Sequence, residues 1–196
     1  MINPNYDAMK LIYNEFGYSF DERKEFVNLF GIRSKDLLVD QFNDLLGACY
    51  IDYFGVKQCL AFPGTTKPGL HYLKNELGNQ AGTFIMAPGF YKDCWAAGLH
   101  NSRPAYVQSG PKVFKGYRDS NSDGKLDMSG KLYDDAMGVD GHTTRADILV
   151  NNVVDRFSAG CQVAWFDKHH SIWYNLGLRT FEVYKINKIS YALFQE

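Results

Sequence analysis

The chain has 196 residues, enough for one well-buried domain with a small N-terminal addition and too few for two full domains. Apolar residues make up 45% and charged residues 22%, as in an ordinary globular protein, and the 15% aromatic share, with 13 Tyr and 14 Phe, favours a sheet-rich core. A formal net charge of −1 removes the global electrostatic case for a nucleic-acid or anionic-membrane partner, and no apolar run approaches the roughly 18 residues that span a bilayer.

Tyr6, Met9, Tyr13 and Phe16 share one face of a helix that Gly17 ends, so a short N-terminal helix is expected to dock through an aromatic stripe. Residues 1–30 are assigned to this helical extension and residues 31–196 to the main domain. Residues 26–32 are apolar and read as a first strand, with Ser34-Lys35-Asp36 as the turn after it. Two β-like runs between Phe42 and Phe62 flank Asp52-Tyr53-Phe54-Gly55, a hairpin that turns at Gly55. Cys49 and Cys59 then lie in neighbouring strands as buried thiols. Whether they bond depends on a register that the sequence leaves open.

Residues 63–69 are expected to be a loop, because proline lacks a ladder donor and glycine invites positive φ. Strand-like pieces follow at residues 83–86 and 105–108, with residues 87–91 and 94–100 as loops or short strands beside a cleft. Tyr91 and His100 are the residues of this region assigned to substrate binding, although a partly exposed structural role also suits His100. Asp119, Asn121, Asp123, Lys125 and Asp127 then place oxygen donors at alternate positions around Gly124, the start of a calcium loop. The twelfth position is Gly130, so a hairpin turn remains open; in the metal reading Asp134 or Asp135 completes the shell.

His142 comes next, in Gly138-Val139-Asp140-Gly141-His142, and fifteen residues separate it from Ser158-Ala159-Gly160-Cys161-Gln162. Arg145 and Arg156 bracket a loop expected to fold over the site, and either guanidinium suits a substrate carboxylate. A cysteine after glycine at a tight bend suits a nucleophile, with the Gly160 and Cys161 amides as oxyanion donors and His142 as base. A thiol activated in this way reacts well below its ordinary pKa of about 8.5. Residues 163–184 read as a strand end and a helix, and Ile189, Tyr191 and Leu193 alternate as a closing strand. There is no Cys-x-x-Cys, phosphate-binding or dinucleotide-binding motif, and His169-His170 is a poor zinc pair, so no cofactor is expected in catalysis beyond a structural calcium ion.

The His142 to Ser-x-Gly-Cys spacing resembles the signature of YkuD-type L,D-transpeptidase domains, in which a histidine is followed at about this distance by Ser/Thr-His-Gly-Cys. Together with Thr65-Thr66-Lys67-Pro68-Gly69 and Gly98-Leu99-His100, it is similar to small members found in phages and Bacteroidetes. Here Ala159 stands at the second histidine of the motif, and Gln162-Val163 replaces a pair ending in arginine. In that family a Thr-Pro-Thr-Gly segment, here Thr-Lys-Pro-Gly, leads into a core strand. The resemblance implies a mainly β, α+β sheet or sandwich core with N-terminal and C-terminal helices. It also implies Cys161 as nucleophile, His142 as base, and Ser158 with Gly160 orienting the acyl intermediate.

The implied substrate is a peptidoglycan stem peptide, and the expected activity is that of a lysin-like L,D-carboxypeptidase or endopeptidase. Cross-linking, and a non-catalytic wall-binding or virion module, are the alternatives. A monomer with no nucleic-acid or membrane partner is expected. The first seven residues show no secretion signal, which suggests synthesis in the cytoplasm and action on the wall after release or delivery.

Overall fold

A computed structural model of the chain describes residues 4–75, 81–144 and 152–196. Ten strands are present: β1 (Asn28–Arg33), β2 (Asp44–Ile51), β3 (Lys57–Thr65), β4 (Thr83–Met86), β5 (Gly89–His100), β6 (Arg103–Gln108), β7 (Gly116–Asp119), β8 (Gly141–Thr143), β9 (Gln162–Ala164) and β10 (Ile189–Gln195). Three helices accompany them: α1 (Tyr6–Glu15), α2 (Leu70–Lys74) and α3 (Asp167–Tyr184). The chain is α+β and mainly β, with helices near both ends, as its composition suggested. Eight strands close into a barrel in the order β1-β10-β5-β6-β8-β9-β3-β2, and β4 pairs with β7 in a separate ribbon. Among the described residues no helix is long and apolar enough to cross a membrane.

Two apolar clusters use opposite faces of the same strands. Leu29, Tyr191 and Leu193 belong to the cluster that also holds Trp95, Tyr106 and Trp173. Phe30, Ile32 and Phe194, the alternate positions, instead pack with Tyr6, Met9 and Tyr13 of α1. Burial on both faces explains why β1 reads as a continuous apolar run. Trp95 organises the first cluster, with its ring 4.5 Å from Tyr191 and 5.6 Å from both Tyr106 and Trp173. Its indole N–H donates to Val139 O at 2.9 Å, which ties the strand to the segment before His142. Burying such a ring contributes about 2–3 kcal/mol.

α1 begins at Asn5, whose side chain accepts the Ala8 N–H, and ends before Gly17 at φ +69°. Phe16, expected on the buried stripe, is exposed and meets the core at Tyr18 and the Phe194 edge. The division at residue 30 falls inside β1, which is bonded on both sides within the barrel, so of the described residues before β1 it is α1 and its connection that lie outside the barrel.

Four local expectations change. Cys49 stands opposite Cys59 in the β2–β3 register with Cα atoms 4.2 Å apart, and the pair is a disulfide rather than two thiols. β3 runs on through Pro63 and Gly64. The Pro63 carbonyl accepts from Trp165 N–H at 3.1 Å, so its nitrogen also faces the β9 side, where the Trp165 carbonyl already takes the Thr144 hydroxyl; no ladder bond to β2 is lost. The segment after Gly69 forms α2, not a core strand. Residues 89–100, expected as separate pieces, make one strand that bends where Asp93 has φ +49° and the β10 register shifts, passing from β10 to β6.

The Thr65–Pro68 segment closes a buried charge cluster. Asp44 Oδ2 accepts the Thr66 N–H and hydroxyl, each at 2.7 Å, while Oδ1 meets Lys67 Nζ at 3.0 Å. The Arg33 guanidinium donates to Thr66 Oγ1, to the Thr66 and Met86 carbonyls and to Met128 Sδ. Burial lowers the Arg33 pKa, and Asp44 opposes that shift.

Candidate active site

Cys161 enters β9 from a turn held by Ser158, whose hydroxyl donates to Cys161 O at 2.8 Å and accepts Gly160 N–H at 3.2 Å. Gly160 has φ +122°, and a Cβ there would lie 2.8 Å from Phe84 O. Glycine before the nucleophile is therefore required by backbone conformation and by contact with β4, a stronger reason than open space around the sulfur. Ser158 is fully buried, so it braces the turn rather than meeting substrate. The Gly160 amide, expected as an oxyanion donor, is engaged by Ser158, which leaves the Cys161 amide for that role.

β8 and β9 run parallel, with His142 opposite Val163 and the Gln162 N–H donating to Asp140 O at 2.9 Å. Asp140 thus flanks Cys161, and His142 lies two residues further along the same face. His142 Nδ1–H donates to Thr143 O at 2.9 Å, since a carbonyl only accepts. The Nε2 lone pair is buried with no partner among the described residues. Burial, and next the neighbouring His100, lower the His142 pKa to about 4, so the ring is a neutral base at ordinary pH.

The thiol departs from the sequence expectation. It donates to Gly138 O at 3.3 Å and accepts the Asp140 N–H at 3.5 Å. Burial pushes its pKa up to about 12, helped by the Asp140 charge and opposed by the Asp140 amide. At rest the thiol is protonated and the imidazole neutral, so in this chemistry proton transfer accompanies attack instead of preceding it.

Cys161 lines a cavity of about 300 Å³ with Phe84, Arg118, Asp135, Gly138 and Ala159. His142 lines another of about 420 Å³ with His100, Arg103, Thr143, Asp155 and Arg156. Arg156 and His100 therefore stand beside the base, as expected. Arg145 lies outside the described residues, as does most of the loop expected to cover the site. Tyr91 does not line the cleft; it is 6% exposed, and its hydroxyl donates to the Ala87 and Lys115 carbonyls in the core. Gln162 and Val163 are also fully buried, with Gln162 accepting the Tyr191 hydroxyl, so of the departures beside the nucleophile only Ala159 faces the cavity.

In the Asp119–Asp127 loop the oxygens largely serve the backbone. Asn121 Oδ1 accepts Asp123 N–H, Asp123 Oδ1 accepts Lys125 N–H and Asp127 Oδ1 accepts Ser129 N–H, the side-chain turns natural to this composition. Asp119 Oδ2 accepts Asp127 N–H, while its Oδ1 is buried without a partner. Among the described residues no three His, Cys, Asp or Glu side chains converge as a metal site.

Arg118 and Asp140 carried no assignment from sequence, and Asp135 carried only that of completing a calcium shell. Asp140 had a visible signal, its place two residues before His142. Arg118 and Asp135 had none, because the β4–β7 ribbon alone brings Arg118 to the sulfur's cavity, where it meets Asp135 at 2.7 Å. Comparison of the chain with protein-family models, curated proteins and solved structures finds no match.

Proposed function

We propose that this protein is a cysteine-dependent peptidoglycan hydrolase that cleaves stem peptides through an acyl-enzyme. The observation that carries the reading is the parallel β8–β9 pairing, which sets His142 opposite Val163, two residues past Cys161, with His142 anchored through Nδ1 and its Nε2 without a partner among the described residues. As Sγ bonds to the carbonyl carbon of an L-configured residue before a D-residue, the thiol proton passes to His142 Nε2. The Cys161 amide meets the oxyanion. Collapse breaks the C–N bond, and the leaving amine takes the proton from His142. Water then attacks the thioester, giving its proton to His142 and thence to the departing sulfur; the products are a carboxylate and the restored thiol. Arg156, beside the base, is the partner for a substrate carboxylate.

Hydrolysis is preferred to cross-linking because Ala159 offers no polar group to hold an acceptor peptide against competition from water. The protein would then act at the cell wall, as a monomer. A non-catalytic wall-binding role is favoured by one feature, the thiol held protonated and bonded to Gly138. Incubation with purified muropeptides and excess acceptor peptide, resolved by mass, separates these readings. Shortened or opened stems support the hydrolase, predominant new dimers a transpeptidase, and unchanged muropeptides the binding module.

A further inference from the structure

His100 ends β5 and Asp140 precedes β8, and neither belongs to the nucleophile–base pair. Yet Asp140 links Cys161 to His100. Its N–H meets Cys161 Sγ, its Oδ1 accepts Gln108 N–H at 2.9 Å, and its Oδ2 accepts from His100 Nδ1 at 2.8 Å. His100 lies flat on His142, with ring centroids 4.1 Å apart and planes 5° from parallel. Gln108 is itself fixed, since its Oε1 accepts Val139 N–H and its Nε2 donates to Gly110 O and Ala136 O. The carboxylate is therefore rigidly placed, and through it so is the His100 ring.

We propose that Asp140 and His100 form a positioning unit for the base. Asp140 anchors His100, and the His100 ring fixes the plane of His142 and holds it in the neutral, Nδ1-protonated form whose Nε2 accepts the thiol proton. This rests on the reading of Cys161 and His142 as nucleophile and base, and it moves His100 from substrate contact to support of the base. Two imidazoles face to face at this distance disfavour a second positive charge, because like charges repel strongly where water is excluded. The groups that act electrostatically on His142 are His100 from β5, Asp140 ahead of β8 and His170 from α3. Arg103, Asp155 and Arg156 stand around the shared cavity, and Cys161 lies across the strand pair. Burial and His100 lower the His142 pKa to about 4, whereas Asp140 pulls the other way, so His100 is the member of the unit that keeps the base unprotonated.

The experiment follows the ring resonances of His142 in isotopically labelled full-length protein as pH is lowered, in the parent and in His100→Phe, which keeps a flat ring without a second basic nitrogen. The titration midpoint of His142 is expected to rise in His100→Phe, and the acid limb of kcat/KM on muropeptide to move towards neutral pH with it. His100→Ala, which also removes the ring, is expected to lower kcat further while leaving KM nearly unchanged. In Asp140→Asn, proton contacts between the two rings are expected to weaken. An unmoved His142 midpoint in His100→Phe overturns the proposal, as do undiminished ring contacts in Asp140→Asn. The ring titration needs no turnover: a shifted midpoint in a protein that leaves muropeptides intact refutes the hydrolase reading and keeps the coupling of the two rings.

Discussion

Among the described residues no buried polar side-chain atom around Asp44 lacks a partner, whereas around His142 three do: His142 Nε2, Thr143 Oγ1 and the Nε2 of His170, which acts electrostatically on His142. Both clusters are buried. The first binds Arg33, Lys67 and Asp44 into one network whose hydrogen bonds reach β1, β2 and the Thr65–Pro68 segment. The second leaves unsatisfied acceptors against a cavity of about 420 Å³. A buried polar group without a partner costs about 1–3 kcal/mol. The contrast separates a saturated buried network around Asp44 from a His142 ring whose Nε2 is unbonded among the described residues.

The sharpest break in this contrast comes from the site itself. Cys161→Ser and His142→Ala are each expected to lower muropeptide turnover about a thousandfold or more with little change in melting temperature, because the two act as one unit. Near-parental turnover in either variant would end the catalytic reading. Asp44→Ala should do the reverse. Two buried cations lose their one carboxylate, and denaturant unfolding is expected to show a loss of about 3–5 kcal/mol. A loss below about 1 kcal/mol would mean that the network is hydrated or rearranged.

Acid sharpens the comparison, because His142 titrates at about 4 in the fold and near 6.5 when unfolded. Between those values the unfolded chain holds the extra proton, so this stabilisation is complete above pH 6.5 and is lost as pH falls through about 4, roughly 3 kcal/mol in all. Unfolding free energies across that window in His142→Gln should lack this slope. Equal slopes in variant and parent would remove His142 as its source.

Ser158→Ala is expected to cost about 1–2 kcal/mol and to slow turnover only modestly, since it loosens the turn that sets Cys161. A loss of activity as large as in Cys161→Ser would give the hydroxyl a chemical role. The smallest effect expected is calcium in the Asp119–Asp127 loop, a gain of about 1 kcal/mol in thermal stability at millimolar ion that Asp123→Ala abolishes. A melting curve indifferent to calcium would leave the hairpin turn.

Local chemistry made some elements legible. The α1 helix, the Gly55 hairpin and the alternation of Ile189, Tyr191 and Leu193 are short-range patterns, and each is present, although Phe16 of the expected α1 stripe is exposed. The His142 to Cys161 spacing likewise linked two segments that prove to adjoin a parallel strand pair. Tyr91 misled because an aromatic beside a turn looks the same whether its hydroxyl meets substrate or a core carbonyl. Pro63 misled because its tolerance depends on which side of the ladder its missing N–H would face.

The sequence by itself determined a mainly β chain, its helical ends and a cysteine paired in spacing with a histidine, since periodicity, capping and turn chemistry act over a few residues. Tertiary structure alone decided the closure of the barrel through β1 and β10, the Cys49–Cys59 pairing, the thiol's raised pKa, and the stacking of His100 on His142. These depend on register between segments far apart in the chain and on how much water that register excludes. Cys161 is recognisable from its neighbours in sequence, but its protonation is set by Gly138, Asp140 and the burial they share.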